Sequence, residues 1–367
     1  MTIGGQTLQS TPSHRRSAGA PEARPGTVRR RTLRAVIGTI VVAALLGAAL
    51  MTAVGSLNRS VYSAGGFVEQ YLTALARQDA VGALALDGVS PSSAELAAAG
   101  RPADLSETLL RASVLGTLTD IEQVSDEQVS PGRHRVVYEF TLGGERDSME
   151  FLVQSTGTFA GVFDRWRFET SPLAVLQVSV LQERLFTVNG LNLDTRVQAA
   201  PDAPATFSTQ ASYLAFAPSE YRLSHDSALL TAEETTVVVS DSGTTEVAVN
   251  ALPTELFTAK VQRELNSFLD ACSIDEVLKP SNCPFGITIN DRVLGVPDWS
   301  IDEYPDVVLH ATTDAFEMDS STGQARIRVD VQSLFDGELN TRDEAVSFFM
   351  GLTATVQPDG NLAIQLR

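Results

Sequence analysis

The sequence predicts an α+β protein that is held at a membrane by a single transmembrane helix near its N-terminus. Residues 35–55 form an unbroken apolar run, AVIGTIVVAALLGAALMTAVG. The remainder alternates between amphipathic helical patterns and long stretches in which apolar and polar residues alternate, the period of half-buried strands. A hydrophobic content of 43% is typical of folded domains rather than of a disordered chain.

The apolar run is long enough for a membrane span, because a helix rises about 1.5 Å per residue and the hydrocarbon core is roughly 30 Å thick. Arg59 is the only charge between the run and Glu69. The positive charge lies on the other side, at Arg29, Arg30, Arg31 and Arg34. Since loop arginines stay in the cytoplasm, the sequence predicts a cell-membrane protein with a cytoplasmic N-terminus and extracytoplasmic C-terminal domains.

A cleavable signal peptide is the alternative for this run. Ala53-Val54-Gly55 before Ser56 fits a small-residue cleavage site, and Arg29-Arg30 resembles a twin-arginine export signal. The apolar run exceeds the usual signal-peptide length of about 7 to 15 residues, which favours an anchor. The first 28 residues are rich in Ser, Pro, Gly, Thr and Ala without apolar periodicity, and residues 1–34 are predicted to form a disordered cytoplasmic tail.

Charge excludes nucleic acid as a partner. Seven of the 27 basic residues and one of the 45 acidic residues precede residue 56, so 20 basic and 44 acidic residues follow the run, a net charge of about −24. A surface of this charge repels DNA, RNA and anionic lipid, and it keeps an external domain soluble.

The two cysteines of the chain, Cys272 and Cys283, lie close together on the predicted external side. An even cysteine count in an oxidising compartment favours a disulfide bond. A zinc site is the alternative, but it needs two more ligands, and the nearest histidine in the sequence is His310.

Residues 60–173 are predicted to form the first external domain. A helical stripe of Phe67, Val68, Tyr71, Leu72 and Leu75 opens it, and shorter helical pieces are expected at 93–99 and 105–112. Four alternating stretches follow, separated by turn signals: VLGTLTDIEQV, RHRVVYEFTL, DSMEFLVQST and FDRWRFETS. This order predicts a long helix on a curved antiparallel sheet.

This first domain resembles the NTF2-like family, in which a helix folds over a bent sheet to form a cone. The residues that carry the likeness are Phe67-Val68-Glu69-Gln70-Tyr71-Leu72, Ala74, Asp79, Ala80 and Trp166-Arg167-Phe168. Many bacterial envelope proteins place such a domain directly after a membrane helix. The resemblance implies a fold and no particular activity, because this fold serves enzymes and inert scaffolds alike.

Residues 183–251 are predicted to form a small β-sandwich. Asn189-Gly190 is a strong two-residue hairpin signal, and a second hairpin is expected around 240–243. Val188-Asn189-Gly190 followed later by Tyr221 resembles small surface β-domains of the PEGA and TcaA-like kind, although Ser219 replaces the glycine of that pattern.

Residues 254–367 are predicted to form a C-terminal α+β domain. Its helix is capped by Thr254, followed by Glu255 in the first turn, and its apolar stripe comprises Leu256, Val261, Leu265, Phe268, Leu269 and Cys272. Antiparallel strands are expected after the cysteine loop, the last two joined by a turn at Pro358-Asp359-Gly360.

No catalytic, cofactor-binding or metal site is expected. The sequence contains no glycine-rich nucleotide loop, G-x-S-x-G elbow or H-E-x-x-H pair, and the spacing around Asp330 and Asp336-Gly337-Glu338 is not that of an EF-hand. The remaining polar and aromatic candidates are interpreted as tail, turn, strand or core residues: His14, His134, His225, His310, Glu139, Asp164, Glu169, Trp166 and Trp299.

The sequence therefore predicts a non-enzymatic, membrane-anchored binding or scaffold protein of the bacterial cell envelope. The membrane is its expected partner through residues 35–55, and cell-wall polymer or other envelope proteins are candidate partners by analogy. Two alternatives remain, an enzyme or small-ligand binder that uses the cone and a transmembrane signalling component. A cone with converging polar groups would favour the enzyme, whereas a cone filled by bulky side chains would favour the scaffold.

Overall fold

In the computed structural model, residues 27–101, 105–198, 206–357 and 360–367 are described. These residues form five α-helices and eighteen β-strands, which confirms the predicted α+β class with one N-terminal apolar helix. The chain divides into two compact units, Met1–Arg59 and Ser60–Arg367.

Helix α1 (Thr27–Ser60) contains a segment, Ala35–Asn58, that is long and apolar enough to cross a membrane. A signal sequence near an N-terminus has the same properties. Leu45, Leu46 and Leu50 are each about two-thirds exposed, as expected for a helix surrounded by lipid. The predicted disordered tail is wrong for residues 27–34, because this arginine-rich stretch lacks Pro and Gly and favours a helix. Residues 1–26 lie outside the described part.

The second unit opens with a helix on a sheet, as predicted. The elements are α2 (Ala64–Ala76), α3 (Ala80–Leu84), α4 (Ser93–Ala98) and the antiparallel strands β1 (Leu118–Ser130), β2 (Arg133–Leu142), β3 (Glu145–Phe159) and β4 (Phe163–Phe168), in the order β1-β2-β3-β4. Ser63 caps α2 by accepting a hydrogen bond from Gly66 N–H at 2.9 Å. The predicted stripe from Phe67 to Leu75 is buried against the sheet.

The predicted helix at 105–112 is wrong for the residues that the structure describes. Ser106 forms a parallel bridge to Tyr213, with Ser106 N–H donating to Ser212 O at 3.0 Å and Leu214 N–H donating to Ser106 O at 2.8 Å. The Ser106 hydroxyl also accepts the N–H of Thr108 at 3.2 Å. These bonds use backbone groups that a helix would need, so an extended crossing replaces it.

Two further sheets follow. The first is three-stranded, in the order β11-β5-β8, and the second is five-stranded, in the order β12-β10-β9-β6-β7. The strands are β5 (Ala174–Leu181), β6 (Leu185–Val188), β7 (Leu191–Asp194), β8 (Ser208–Ala215), β9 (Ser219–Asp226), β10 (Leu230–Val239), β11 (Thr244–Asn250) and β12 (Leu252–Pro253). Asn189 and Gly190 have φ of 47° and 83° and join β6 to β7, which confirms that hairpin.

The second predicted hairpin, around 240–243, is wrong. Strand β10 pairs with β9 and β12, whereas β11 pairs in parallel with β5 of the other sheet. The Gly243 carbonyl accepts the N–H of Val175 at 2.9 Å, so the chain already pairs with β5 at the end of this turn. A turn signal between two alternating stretches does not distinguish a hairpin from a change of sheet.

The C-terminal part packs helix α5 (Glu255–Ser273) on a six-stranded antiparallel sheet in which β13, β14, β15 and β17 all pair with β16 and β18 pairs with β17. The strands are β13 (Arg292–Val293), β14 (Asp298–Glu303), β15 (Leu309–Ala311), β16 (Phe316–Gln332), β17 (Leu339–Val356) and β18 (Leu362–Leu366). The predicted cap is confirmed, since Thr254 accepts the N–H of Phe257 at 3.2 Å. The predicted stripe is shifted at its start, where Phe257 is buried and Leu256 is exposed.

The predicted turn at 358–360 falls partly outside the described residues, but Gln357 N–H donates to Asn361 O at 2.7 Å across it. Cys272 and Cys283 are at disulfide distance, with their sulfur atoms 2.03 Å apart.

Buried side chains form two hydrophobic clusters. One runs without interruption from α2 and strands β1–β3 into the two middle sheets. The other joins α5 to the six-stranded sheet. It also includes Leu229 and Leu230 from the turn between β9 and β10, and Ala251 after β11. The helix-on-sheet layer and the middle sheets therefore share one core, and the C-terminal part has its own.

Candidate functional site

The space between α2 and the first sheet is filled by aromatic side chains. Tyr71, Phe140 and Phe168 are each at most 1% exposed, and the ring of Tyr71 meets those of Phe151 and Phe168 edge-on at centroid distances of 6.3 and 5.4 Å. Side chains of this size leave the helix-on-sheet interior packed rather than open.

The polar groups of this interior are bonded to the backbone. The Tyr71 hydroxyl donates to Ala217 O at 2.9 Å, and the Tyr138 hydroxyl donates to Gly65 O at 3.0 Å. Burial raises the pKa of both phenols above the usual value, and a neighbouring Tyr221 adds to this at Tyr71. Both tyrosines are therefore neutral structural donors.

The three acids singled out in the sequence do not converge. Glu139 lies on β2 beside Arg146, with its carboxylate 3.9 Å from the guanidinium, and Asp164 lies on β4, two strands away. Glu169 accepts from the Arg133 guanidinium at 2.8 Å after the end of β4. No pair of these carboxylates shares a pocket that would divide acid and base roles between them.

Two histidines have partners that the sequence did not indicate. His134 Nδ1 lies 2.5 Å from Asp126 Oδ1, while Asp126 Oδ2 accepts the N–H of Gly65 at 3.2 Å. His225 is 5% exposed, and its ring nitrogens contact Leu185 O at 2.8 Å and the Ser227 hydroxyl at 3.1 Å. His134 and Asp126 face each other across the turn between β1 and β2, and His225 is 40 residues from Leu185. Sequence spacing alone therefore did not indicate these contacts.

The Ser227 hydroxyl is part of the turn between β9 and β10. It donates to Leu230 O at 2.9 Å and accepts Leu230 N–H at 3.0 Å. A serine whose oxygen closes a turn in this way is held for structure, not aimed at a substrate carbonyl.

The other predicted candidates have structural contacts. Trp166 Nε1 donates to Tyr62 O at 2.8 Å, and Trp299 Nε1 donates to Val277 O at 2.9 Å. His310 lies on β15 with its ring half exposed and 3.9 Å from Asp319. Asp330 accepts from the Thr341 hydroxyl at 2.6 Å. His14 lies outside the described residues, and no cluster of three or more potential metal ligands occurs in the described ranges.

The strongest candidate for a binding site is a cleft between the middle sheets and the C-terminal part, with a volume of about 620 Å³. Its walls come from the segment 182–185, the turn 227–230, Lys260 of α5 and the end of β17 at 355–357. Apolar walls are supplied by Leu185, Phe207, Leu229, Leu230 and Val356. We call this the sheet–helix cleft.

Charge in the sheet–helix cleft departs from the acidic average of the chain. Arg184, Arg196 and Lys260 line it, against Glu183 and Asp314. Glu183 already accepts the N–H groups of Arg184 and Leu185, at 2.7 and 3.3 Å.

A second cleft of about 650 Å³ adjoins it and shares Lys260, adding Arg263, Glu264, Phe268 and residues of β18. Among the described residues, neither Lys260 nor Arg263 has an ion-pair partner. The region can accept an apolar group that carries negative charge.

No protein-family model, no curated protein and no solved structure matches this chain. The chain is thus defined by its own features, an α+β architecture with one apolar N-terminal helix, a filled helix-on-sheet interior and a cation-bearing cleft.

Proposed function

We propose that this chain is a non-enzymatic, membrane-anchored scaffold or binding protein of the bacterial cell envelope. In this proposal residues 35–55 are the anchor, the N-terminus is cytoplasmic and residues 60–367 are extracytoplasmic. The proposal is supported by the apolar, laterally exposed segment Ala35–Asn58 and by the positive charge that precedes it in the sequence.

The observation that carries the non-enzymatic part is the filled interior between α2 and β1–β4. An enzyme of the cone type needs an open cavity with converging acid and base groups, and here aromatic rings occupy that volume while both buried phenols donate to backbone carbonyls. The helix-over-sheet arrangement supports an NTF2-like assignment used as an inert platform. The two middle sheets support a spacer β-sandwich.

Cell-wall polymer and other envelope proteins are the partner classes that we propose for the external unit. The acidic surface disfavours nucleic acid, with about 24 more acidic than basic residues after residue 55.

Protease treatment of intact cells tests the topology. External protease should remove everything after about Ser56 from the full-length chain, while the untreated protein fractionates with the membrane. Replacing Arg29, Arg30, Arg31 and Arg34 with Ser should randomise the orientation, because those residues supply the juxtamembrane positive charge. A soluble form that begins near Ser56 would instead establish a cleaved signal.

An alanine scan tests the absence of catalysis. Glu139, Asp164, Glu169, His310 and His134 are replaced singly in cells whose phenotype depends on the chain, and both protein abundance and phenotype are scored. None should remove the phenotype at normal abundance, since none belongs to a convergent polar site. A single substitution that does so would favour the enzyme or specific-receptor alternative.

A further inference from the structure

The longest hairpin of the protein carries an exposed apolar tip. Strands β16 and β17 pair from Phe316↔Ala354 at one end to Gln332↔Leu339 at the other. Leu339 of that last pair is 68% exposed, and Leu334 and Phe335 in the turn beyond it are 72% and 99% exposed. A fully exposed phenylalanine beside two exposed leucines is costly in water and typical of a contact surface. We call residues 333–339 the hairpin tip.

The hairpin tip has a fixed shape. Ser333 N–H donates to Glu338 O at 2.9 Å, Gly337 N–H donates to Ser333 O at 3.0 Å, and the Ser333 hydroxyl accepts Phe335 N–H at 3.3 Å. Gly337 has a φ of 76°, which suits glycine at this turn. A loop held by its own hydrogen bonds loses little conformational entropy when it binds. Phe335 therefore has its exposed position before any partner is bound.

The hairpin tip is also acidic. Residues 333–339 contain Asp336 and Glu338 and no basic residue. Hydrogen bonds from the Ser333 hydroxyl and from Glu338 N–H hold the pKa of the Asp336 carboxyl below its usual value, so it stays ionised at neutral pH. Two carboxylates beside the apolar residues disfavour insertion into an anionic lipid surface and favour a protein site with cations at its rim.

The sheet–helix cleft has the complementary chemistry. It is lined by the apolar residues Leu185, Leu229 and Val356. It is also lined by Lys260 and by Arg184, whose guanidinium lies 3.8 Å from the Asp194 carboxylate. In a chain with this large an acidic excess, a cleft with more cations than anions is the matching surface for an acidic apolar tip.

The two surfaces cannot meet within one molecule. The cleft includes Thr355, Val356 and Gln357, at the end of β17 that is opposite to the hairpin tip. Strand β16 has 17 residues, which at about 3.3 Å per residue separates the two ends by roughly 50 Å. A contact between them must join two copies.

We propose that the hairpin tip of one copy, led by Phe335, inserts into the sheet–helix cleft of a second copy of this chain. Each copy contributes a different surface, so a contact made once per pair is heterologous and generates rings or open chains, whereas a reciprocal exchange of hairpin tips closes a twofold dimer. In the proposed scaffold role, this contact assembles copies of the chain. The contact does not depend on the orientation of the membrane helix.

Copies with two different affinity tags test the proposal in the full-length, detergent-solubilised protein. Capture of one tag should recover the other. Phe335→Asp in both copies should lower the recovered second copy at least tenfold, because it removes the central apolar anchor and adds charge. Phe349→Asp is the matched control, since Phe349 is 68% exposed on the same hairpin but outside the hairpin tip, and it should leave recovery unchanged.

Leu185→Glu probes the cleft side. Leu185 lies on the cleft wall and is 43% exposed, so its replacement alters the wall without emptying a core. Leu185→Glu in both copies should also lower recovery at least tenfold. A Phe335→Asp copy mixed with a Leu185→Glu copy should still pair, because one intact hairpin tip and one intact cleft remain. A contact between two hairpin tips would not show this rescue.

A photo-crosslinking amino acid in place of Phe335 identifies what the hairpin tip touches. Crosslinks to residues 182–185, 227–230 or 355–357 of the other copy support the proposal. Crosslinks only to lipid, only to a different protein, or none at all would overturn it, as would recovery unchanged by Phe335→Asp. These outcomes are separate from the topology assay, whose failure would leave the contact between copies intact.

Discussion

The hydroxyl of Tyr71 joins helix α2 to the middle sheets, and removing it should weaken both. Tyr71 lies on α2, is fully buried, and donates to the carbonyl of Ala217, 146 residues away and between β8 and β9. Tyr71→Phe keeps the ring, which packs on Phe151 and Phe168, and removes only the donor.

The expected loss follows from the buried carbonyl. A protein hydrogen bond contributes about 0.5 to 1.5 kcal/mol net, but a buried acceptor that loses its donor costs about 1 to 3 kcal/mol. We therefore expect Tyr71→Phe to lower the free energy of unfolding by about 1 to 3 kcal/mol. Tyr62→Phe is the control, because the Tyr62 ring stacks on Phe163 at 4.5 Å and its hydroxyl has no hydrogen bond within the described residues. It should change stability by less than about 0.5 kcal/mol.

Urea unfolding of the full-length chain in detergent measures the effect. The chain has two tryptophans, so a Trp299→Phe background leaves Trp166, on strand β4 of the first sheet, as the reporter. Hydrogen exchange should also speed up in β8 and β9, because α2 and these strands share one buried cluster. Equal effects of Tyr71→Phe and Tyr62→Phe, or faster exchange confined to α2, would refute this reasoning.

Three further outcomes are expected. Cys283→Ser should lower the stability of the C-terminal part by up to about 3 kcal/mol, measured by Trp299 fluorescence in a Trp166→Phe background. A loss of stability confined to the first sheet would contradict this prediction. Leu265→Ala should lower the free energy of unfolding, measured with urea, by about 2 to 5 kcal/mol through lost burial and a cavity. The control is Leu256→Ala at an exposed position of the same helix, which should lower it by less than about 0.5 kcal/mol. Stability should fall as pH rises above the ordinary tyrosine pKa of about 10, because burial raises the folded-state pKa of four tyrosines and the unfolded chain releases those protons first. Phenolate absorbance equivalent to more than two of the six tyrosines before unfolding would argue against this. The four tyrosines are Tyr71, Tyr138, Tyr213, whose pKa is raised to about 12, and Tyr221.

The positions of helices α2 and α5 were readable because their signals are local. Thr254 and the apolar spacing of α5 lie within one segment, and a cap or a stripe needs only neighbouring residues to act. The shift from Leu256 to Phe257 at the start of that stripe shows the limit of such spacing. Both residues are apolar and adjacent, and only packing on the sheet decides which one is buried.

The candidate site was not readable in the same way. The sheet–helix cleft draws Arg184 from before β6, Lys260 from α5 and Val356 from β17, positions that are up to 172 residues apart. None of these residues stands in a motif, and their common property, a place on one cleft wall, exists only after the chain has folded. The exposure of Phe335 is likewise a tertiary fact, since phenylalanine is among the residues that are most often buried.

The sequence by itself determined the apolar helix near the N-terminus, the α+β class and the Asn189-Gly190 hairpin, because length, period and turn chemistry are properties of contiguous residues. Tertiary structure alone decided that β11 leaves its sequence neighbour β10 to pair with β5, and that Ser106 bridges to Tyr213 instead of continuing a helix. Those pairings depend on which distant backbone groups and apolar faces are available as partners in the folded chain. An alternating pattern predicts which face of a strand is buried, but it does not predict which strand or helix packs against that face.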